Sequence, residues 1–273
     1  MKRKIYLIAL LVLVALLIAI PVQAITFGQA DGNAHPNVGM LWAELPDGLY
    51  GVCSGTKVPA AEGLGYDVFL TAAHCLAWAP EGTIWLVTFD PQTVDYQEDP
   101  PVVIANFITA ESAVYHPGYN HDNADLHDLG VVLLPQGSTD GIDPAQMPAE
   151  GFLDEQNTKN GLKGTQFVAV GYGATRLDKT KGFQPLYYED IRQFAAGTFS
   201  ALTNSWLHIS MNPSTGDGGT CYGDSGGPHF FGDSNLIVSI TVTGDAPCRA
   251  SDVTYRLDTA SAQSFLSPYI DFP

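Results

Sequence analysis

The stretch CYGDSGGP, at residues 221–228, decides how this sequence is interpreted, together with LTAAHC at 70–75 and HDLGVVLL at 127–134. Hydrolysis of an amide at neutral pH needs a nucleophile stronger than a free hydroxyl. A serine gains that strength from a histidine that takes its proton and is oriented by a buried carboxylate. Ser225, His74 and Asp128 supply these groups in the order His, Asp, Ser. Each motif alone is typical of a turn or a core histidine, but the three together indicate nucleophilic catalysis.

The first 24 residues predict a secretory signal peptide. Residues 2–4 are basic, residues 5–20 carry no charge, and the small-x-small pattern at 22–24 marks a cleavage site. An uncleaved membrane anchor is disfavoured because the apolar run is shorter than the ~20 residues that span a bilayer, and Pro21 ends it. We therefore expect secretion, to an extracellular or periplasmic location, and no membrane attachment after cleavage.

Acidic residues dominate the rest of the chain. The leader carries three of the 12 basic residues and none of the 29 acidic ones, which leaves residues 25–273 with a net charge of −20. Such a surface repels nucleic acid and anionic membranes, and no basic patch occurs in the sequence. We expect a soluble monomer with no nucleic-acid partner.

Short β-prone runs separated by turn residues predict an all-β fold. They lie at residues 68–70, 83–89, 102–107, 131–134, 167–170, 206–210, 236–242 and 253–257. Many are rich in Val, Ile, Thr and aromatic residues, and no helical pattern of ten or more residues occurs in the body of the chain. This spacing favours sandwiches or barrels. One short helix is expected at 258–266, capped by Asp258 or Thr259 and stopped by Pro268.

Four cysteines, Cys53, Cys75, Cys221 and Cys248, predict disulfide bonds in an exported chain, and three pairings are open. A zinc site is disfavoured because no two of them have the CxxC spacing. The acidic segment 90–99 could supply oxygen ligands to calcium, but a solvated acidic loop is the preferred interpretation. We expect neither a metal nor a cofactor.

On the motifs TAAHC and GDSGGP and on the order of the three groups, the chain resembles the chymotrypsin/trypsin-like serine peptidases, as a secreted, bacterial-type member. The resemblance extends over residues 25–266. It implies two packed six-stranded antiparallel β-barrels with a short C-terminal helix. Residues 136–164 are poor in apolar runs and mark the expected boundary. The first barrel, 25–148, would carry His74 and Asp128, and the second, 149–273, would carry Ser225.

The resemblance implies a role for each site residue. His74 is the general base and then the general acid, and Asp128 orients it. Ser225 attacks the scissile carbonyl and forms an acyl-enzyme intermediate. The N–H groups of Gly223 and Ser225 would form the oxyanion hole.

The resemblance also implies how the cysteines pair. Cys75 would bond to Cys53 and hold the base in place. Cys221 would bond to Cys248 and tie the nucleophile loop to a wall of the substrate pocket.

Three aspartates compete for the role of the carboxylate: Asp122, Asp125 and Asp128. Asp128 is preferred because the apolar run 129–134 follows it directly, as in the family. The nearby His116, His121 and His127 resemble a metal cluster at first glance. They lie in a polar loop without a flanking ligand pattern, and we interpret them as surface residues.

The predicted substrate pocket lacks the charge of a trypsin-like floor. The family's floor residue lies six positions before the nucleophile, which is Gly219, with Thr220 beside it. Thr243 and Gly244 stand where the family has its Ser-Trp-Gly strand. The two glycines would leave an open, uncharged slot suited to a large apolar or aromatic side chain. Asp252 aligns near the back wall, where it could meet a cation, although a solvated loop position is the preferred interpretation.

Ile25 directly follows the predicted cleavage site. In the family, a freshly cut Ile or Val amino group pairs with the Asp before the nucleophile, here Asp224. Thr26 and Phe27 depart from the family's usual Val-Gly. No propeptide fits between Ala24 and Ile25, so we expect signal peptidase itself to make the activating cut. In the alternative, Ile25 is simply the first strand residue.

The expected function is a secreted serine endopeptidase that acts on polypeptides. One alternative is a non-catalytic secreted binding module on the same fold, which is disfavoured because all three catalytic positions and the oxyanion glycine are intact. The other is an esterase of the α/β-hydrolase type, which would have the order Ser, Asp, His.

Overall fold

The structure is a computed structural model that describes residues 25, 27–119, 124–176 and 186–273. The predicted signal peptide and Thr26 lie outside the described residues. In chain order, the strands are β1 (Gln29–Ala30), β2 (Val38–Leu45), β3 (Gly48–Val58), β4 (Tyr66–Thr71), β5 (Ile84–Thr88), β6 (Val94–Asp95), β7 (Val102–Val103), β8 (Ile108–Thr109), β9 (Ser112–Tyr115), β10 (Gly130–Pro135), β11 (Gln166–Gly171), β12 (Gln193–Leu202), β13 (Trp206–Ser210), β14 (Pro228–Phe231), β15 (Ile237–Gly244) and β16 (Ser251–Arg256). The helices are α1 (Phe152–Gln156) and α2 (Ala260–Leu266), and 3-10 turns lie at Ala73–Cys75, Thr158–Asn160 and Pro213–Thr215.

Two antiparallel sheets build the molecule. The first has the strand order β8-β5-β2-β3-β4-β10-β9 and forms a half-barrel. The second has the order β1-β12-β11-β14-β15-β16-β13, and pairing of β12 with β13 closes six of its strands into a barrel. Strands β6 and β7 form a separate ribbon. The predicted all-β fold with a short C-terminal helix is therefore confirmed, with one closed six-stranded barrel and a half-barrel where two closed barrels were expected.

Burial explains which predicted runs became long strands. The first five residues of both β10 and β15 are buried, which suits their Val, Ile and Leu content. The predicted run 206–210 matches β13 residue for residue. The predicted strand 102–107 is wrong beyond Val103, because β7 is exposed, two residues long and paired only with β6. The residues of this run beyond Val103 have no neighbouring buried strand with which to pair, among those that the structure describes.

A single apolar cluster connects the two sheets. It contains Val131 of β10, Val170 of β11, Ile240 of β15 and Leu266 of α2, each at most 1% exposed. Thr259 begins α2 by accepting a hydrogen bond from the Ala262 N–H at 3.1 Å, as the sequence predicts. Among the described residues, no helix has the length and apolarity needed to cross a membrane.

Arg192 lies fully buried where the two sheets meet. Its Nε donates to Asp31 Oδ2 at 2.9 Å. One terminal nitrogen donates to the carbonyls of Val38, at 3.0 Å, and Phe89, at 2.8 Å, and the other to the carbonyl of Gly32 at 3.1 Å. A buried cation is tolerated only when its donors are matched in this way. The guanidinium therefore fixes the N-terminal segment and the first sheet to the second.

Replacing Arg192 by Met should strongly destabilise the protein. The change removes the fully buried ion-pair partner of Asp31 and leaves the carboxylate with His35 alone. Loss of one partner of a buried pair costs about 3–5 kcal/mol, and the contact with His35 should place the loss near the lower end of that range. Arg192→Lys, which keeps the charge but offers fewer donors, should lose less. The free energy of unfolding in urea, with the disulfides intact, measures both. Arg249→Met at an exposed position is the matched control and should change stability by no more than about 0.5 kcal/mol. Equal effects at the two arginines would contradict the role given to Arg192.

Candidate active site

His74 and Asp128 are joined by two hydrogen bonds. His74 lies in the 3-10 turn after β4, and Asp128 immediately precedes the segment that becomes β10. Asp128 Oδ2 is 2.7 Å from His74 Nδ1, and Oδ1 accepts the His74 backbone N–H at 2.7 Å. The Asp128 side chain is 1% exposed and that of His74 is 29% exposed. Since an ionised carboxylate only accepts, the proton belongs on Nδ1, and Nε2 is left as a base.

The structure separates the competing aspartates. Asp125 accepts hydrogen bonds from the Tyr255 hydroxyl and from Ser261 Oγ, the latter at 3.0 Å, and it makes no bond to His74. Its carboxylate therefore ties the loop to β16 and α2. Asp122 lies outside the described residues.

The histidines interpreted as surface residues are packed in part. The rings of His116 and His127 stack with centroids 4.4 Å apart and planes 7° apart, and His116 also lies 4.8 Å from the ring of Phe265 in α2. Burial lowers the pKa of His116, and the neighbouring His127 adds to this effect. This pair is therefore half-buried and stacked at the surface, not freely solvated. His121 lies outside the described residues.

Ser225 lies in the loop between β13 and β14 of the second barrel, beside the turn that carries His74. Its carbonyl accepts the N–H of Ser54 at 2.9 Å and lies 3.8 Å from Cys75 Sγ. The following residue, Gly226, donates to the Thr241 carbonyl at 2.8 Å. These contacts bring the serine segment against the first sheet while leaving the Ser225 residue partly exposed.

Two backbone donors close to Ser225 are unused. Within the described chain, no acceptor takes the N–H of Gly223 or that of Ser225. Gly223 has φ of +100°, a conformation that L side chains rarely adopt, and a Cβ there would come 3.1 Å from the Gly173 Cα. A glycine is therefore required for this turn, and the turn leaves both donors available to an oxygen atom.

Two disulfides brace the site, Cys53–Cys75 and Cys221–Cys248. These are the pairs that the resemblance implies. The first crosses from β3 to the His74 turn, and the second joins the serine segment to the loop before β16. Cys53, His74 and Cys75 lie close enough together to suggest a metal site. The two sulfurs are bonded to each other, however, and offer no thiolate.

Two neighbouring cavities flank the site. One, of about 450 Å³, lies beside His74 and Asp128, and the other, of about 290 Å³, lies beside Ser225. Val242 and Thr243 line both, so β15 runs between them. The first cavity also has a wall of Tyr119, Leu126, Trp206 and Val253, which the sequence analysis did not identify. No local motif marks these residues, because they converge from separate loops and strands.

The predicted pocket residues divide into lining and supporting positions. Thr220, Thr243 and Gly244 line the cavity beside Ser225, whereas Gly219 and Asp252 do not. Asp252 is 1% exposed within β16, so its interpretation as a solvated loop residue is wrong.

Asp252 supports the pocket wall from behind. Its Oδ2 accepts the Thr220 N–H at 3.2 Å and lies 3.1 Å from Nε2 of the buried His229. Its other oxygen has no hydrogen-bond partner among the described residues.

Asp224 is a fully buried carboxylate whose only partners among the described residues are backbone N–H groups. It accepts from Gly173 at 2.7 Å and from Cys221 at 2.9 Å. A Cβ on Gly173 would overlap this carboxylate, so the cradle requires a glycine. Burial raises the pKa of Asp224 to about 7, and the nearby Asp252 carboxylate also raises it. Ile25 is itself fully buried, with φ of +47°.

Comparisons with known proteins were consistent with one another. A family model described as Trypsin matches residues 61–262. Renal glandular kallikrein of Mastomys natalensis is 27% identical over 203 residues, which is 67% of this chain and 69% of that protein. Serine protease 56 of Mus musculus is 26% identical over 211 residues, 72% of this chain but 30% of its own length. Collagenase of Hypoderma lineatum is 26% identical over 179 residues, 63% of this chain and 60% of its own length.

Among solved structures, HL collagenase superposes with a TM-score of 0.61, over 86% of this chain and 93% of that one. The two sequences are 20% identical, so this match supports the fold alone. The matched region spans less than two thirds of Serine protease 56 and of the Hypoderma collagenase.

A form that retains residues before Ile25 should lose stability as pH rises. Its Asp224 has no free amino group at Ile25 to pair with, and the carboxyl pKa is raised to about 7. The native state then holds a proton that the unfolded chain releases between about pH 4 and pH 7. The free energy of unfolding should fall across this window by up to about 4 kcal/mol, at 1.36 kcal/mol per unit of pKa.

Urea unfolding at several pH values measures this slope. Asp224→Asn removes the titrating group and should flatten this part of the pH dependence. Identical slopes for the parent and Asp224→Asn would refute the assignment.

Proposed function

Because the chain belongs to the trypsin family and is a serine endopeptidase, we propose that it cleaves peptide bonds through a triad of Ser225, His74 and Asp128. The observation that carries this proposal is the pair of hydrogen bonds that His74 donates to Asp128, beside a serine held against the same turn. The bond at Nδ1 fixes the tautomer in which Nε2 can accept a proton from the Ser225 hydroxyl.

In the proposed reaction, Ser225 Oγ attacks the scissile carbonyl carbon while His74 takes the hydroxyl proton. Negative charge moves to the carbonyl oxygen, where the N–H groups of Gly223 and Ser225 can stabilise it. The imidazolium, stabilised by Asp128, then protonates the leaving amine, and the C–N bond breaks. Water, activated by His74, hydrolyses the resulting ester and releases Ser225.

We assign the cavity of about 290 Å³ to the side chain that precedes the scissile bond. The cavity lining includes Thr220, Thr243 and Gly244, and Gly244 has no side chain to narrow the cavity. Asp245 lines this cavity, but its oxygens accept the backbone N–H groups of Arg249, Ala250 and Ser251. A large uncharged side chain fits these walls.

Secretion and activation are proposed to share one cleavage. Cutting between Ala24 and Ile25 would remove the leader and create an amino group at Ile25. The buried Asp224 needs a cation to remain ionised, and an ammonium group would supply it. The pair would stabilise the turn that carries Gly223 and Ser225. Two disulfides support export to an oxidising compartment.

Ser225→Ala should abolish peptide hydrolysis without affecting the fold, because it removes the proposed nucleophilic hydroxyl. Asp128→Asn should lower kcat by about 10⁴-fold, since it favours the wrong tautomer of His74. Cleavage of a peptide library, with circular dichroism as the control for folding, tests both. Peptidase activity in pure Ser225→Ala would overturn the assignment, and a parent protein that folds but never cleaves would favour the binding-module alternative.

A form with one extra Met before Ile25 should be nearly inactive, because its amino group is displaced from Asp224.

In the form that begins at Ile25, activity should fall at alkaline pH. A free α-amino group titrates at about 8, and a carboxylate partner moves its pKa upward. Deprotonation then leaves Asp224 unpaired. Titration with a serine-directed phosphonate measures, for each form, the fraction of protein molecules that have a catalytically active Ser225. Equal fractions in the two forms would refute the pairing.

A further inference from the structure

Two tyrosines flank the glycine that contributes to the proposed oxyanion hole. Tyr222 precedes Gly223 in the chain. Tyr188 reaches Gly223 through space, with its Cε1 3.7 Å from the position of a Cβ on that glycine. Tyr188 is 52% exposed and Tyr222 is 53% exposed. Both rings are thus accessible to a ligand beside the proposed reaction centre.

Hydrogen bonds fix the two segments that carry these tyrosines. Tyr187 exchanges a pair of bonds with Thr175, at 2.8 and 3.2 Å, which fixes the segment that contains Tyr188. The Ala174 N–H donates to the Tyr222 carbonyl at 2.8 Å, and the Tyr222 hydroxyl donates to the Ala246 carbonyl at 3.2 Å. The two rings therefore frame Gly223 from segments that are tied to each other.

The location of Tyr188 indicates which part of a substrate it would meet. Tyr222 lines the cavity beside Ser225, but Tyr188 does not. That cavity is assigned to the residue before the scissile bond. Tyr188 contacts Gly223 without lining that cavity. With the preceding side chain in the cavity and the scissile carbonyl oxygen at the Gly223 N–H, the Tyr188 side of Gly223 is available to the residues on the leaving-group side.

We propose that Tyr188, with the outer edge of Tyr222, binds an aromatic or large apolar side chain in the first residues after the scissile bond. This inference rests on the proposed peptidase function and adds a preference on the leaving-group side. A phenol ring offers an apolar face for stacking. Burial raises the pKa of Tyr188, and Asp190 adds to this, so the ring stays neutral.

Acyl transfer isolates this preference from the rest of specificity. An ester substrate acylates Ser225, and the acyl-enzyme is then divided between water and an added amino-acid amide. When the amide reacts, its nitrogen attacks the acyl carbon and His74 takes a proton from that nitrogen. The C–Oγ bond then breaks, His74 returns the proton to Ser225 Oγ, and a peptide bond remains. The ratio of transfer to hydrolysis reports binding on the leaving-group side.

Phenylalanine amide should be preferred to glycine amide by roughly three- to tenfold, the range that one aromatic contact supplies. Tyr188→Ala should reduce this preference to about onefold, whereas Tyr188→Phe should keep it. Tyr187→Ala is the matched control, because Tyr187 is the adjacent tyrosine and is 44% exposed. It should retain the parent preference.

The outcomes separate the two proposals. An enzyme that hydrolyses the ester but accepts all amides equally, or prefers arginine amide, refutes the Tyr188 site and leaves the peptidase function standing. Loss of the preference in Tyr187→Ala but not in Tyr188→Ala also refutes it. Failure of the parent enzyme to acylate at all refutes the proposed function, and with it the inference.

Discussion

The buried guanidinium of Arg192 is the interaction on which the rest of the structure depends. It is bonded to Asp31 in the N-terminal segment and to carbonyls at Val38 and Phe89 in the first half. It also lies 3.3 Å from the hydroxyl of Tyr172, whose neighbour Gly173 cradles Asp224. Removing a charge from water is expensive unless its donors are matched, so these groups are held at fixed positions. The proposed catalytic serine follows Asp224 directly, so its backbone position is fixed by the same contacts.

The candidate site combines groups from both halves of the molecule. The first half carries His74 and Asp128, and the second carries the Ser225 turn with its two free N–H groups. The Ser54 N–H, which donates to the Ser225 carbonyl, and Cys75 Sγ, 3.8 Å from the same carbonyl, bring the two halves together at this point. Separate rigid supports suit a reaction in which proton transfer and oxyanion stabilisation must be aligned at the same carbonyl.

How much the sequence predicts depends on whether a feature is local. The motifs around His74 and Ser225, the strand 206–210 and the Thr259 cap were all identifiable, because each depends on neighbouring residues. The burial of Asp252 was not, because it is a polar residue whose partners, Thr220 in a loop and His229 in β14, are distant in the sequence. The partners of Arg192 come from four separate segments, and no pattern in one segment identifies them. The incomplete closure of the first half depends on strand pairing over long distances.

Strand β1 limits how far the chain end at Ile25 can move from the second barrel. Gln29 and Ala30 pair with Phe194 and Gln193 of β12, so the chain is anchored to the second barrel only four residues after the predicted cut. Four extended residues reach at most about 14 Å. The proposed encounter of the Ile25 amino group with Asp224 is therefore intramolecular, and a tether this short gives an effective concentration in the millimolar range or above.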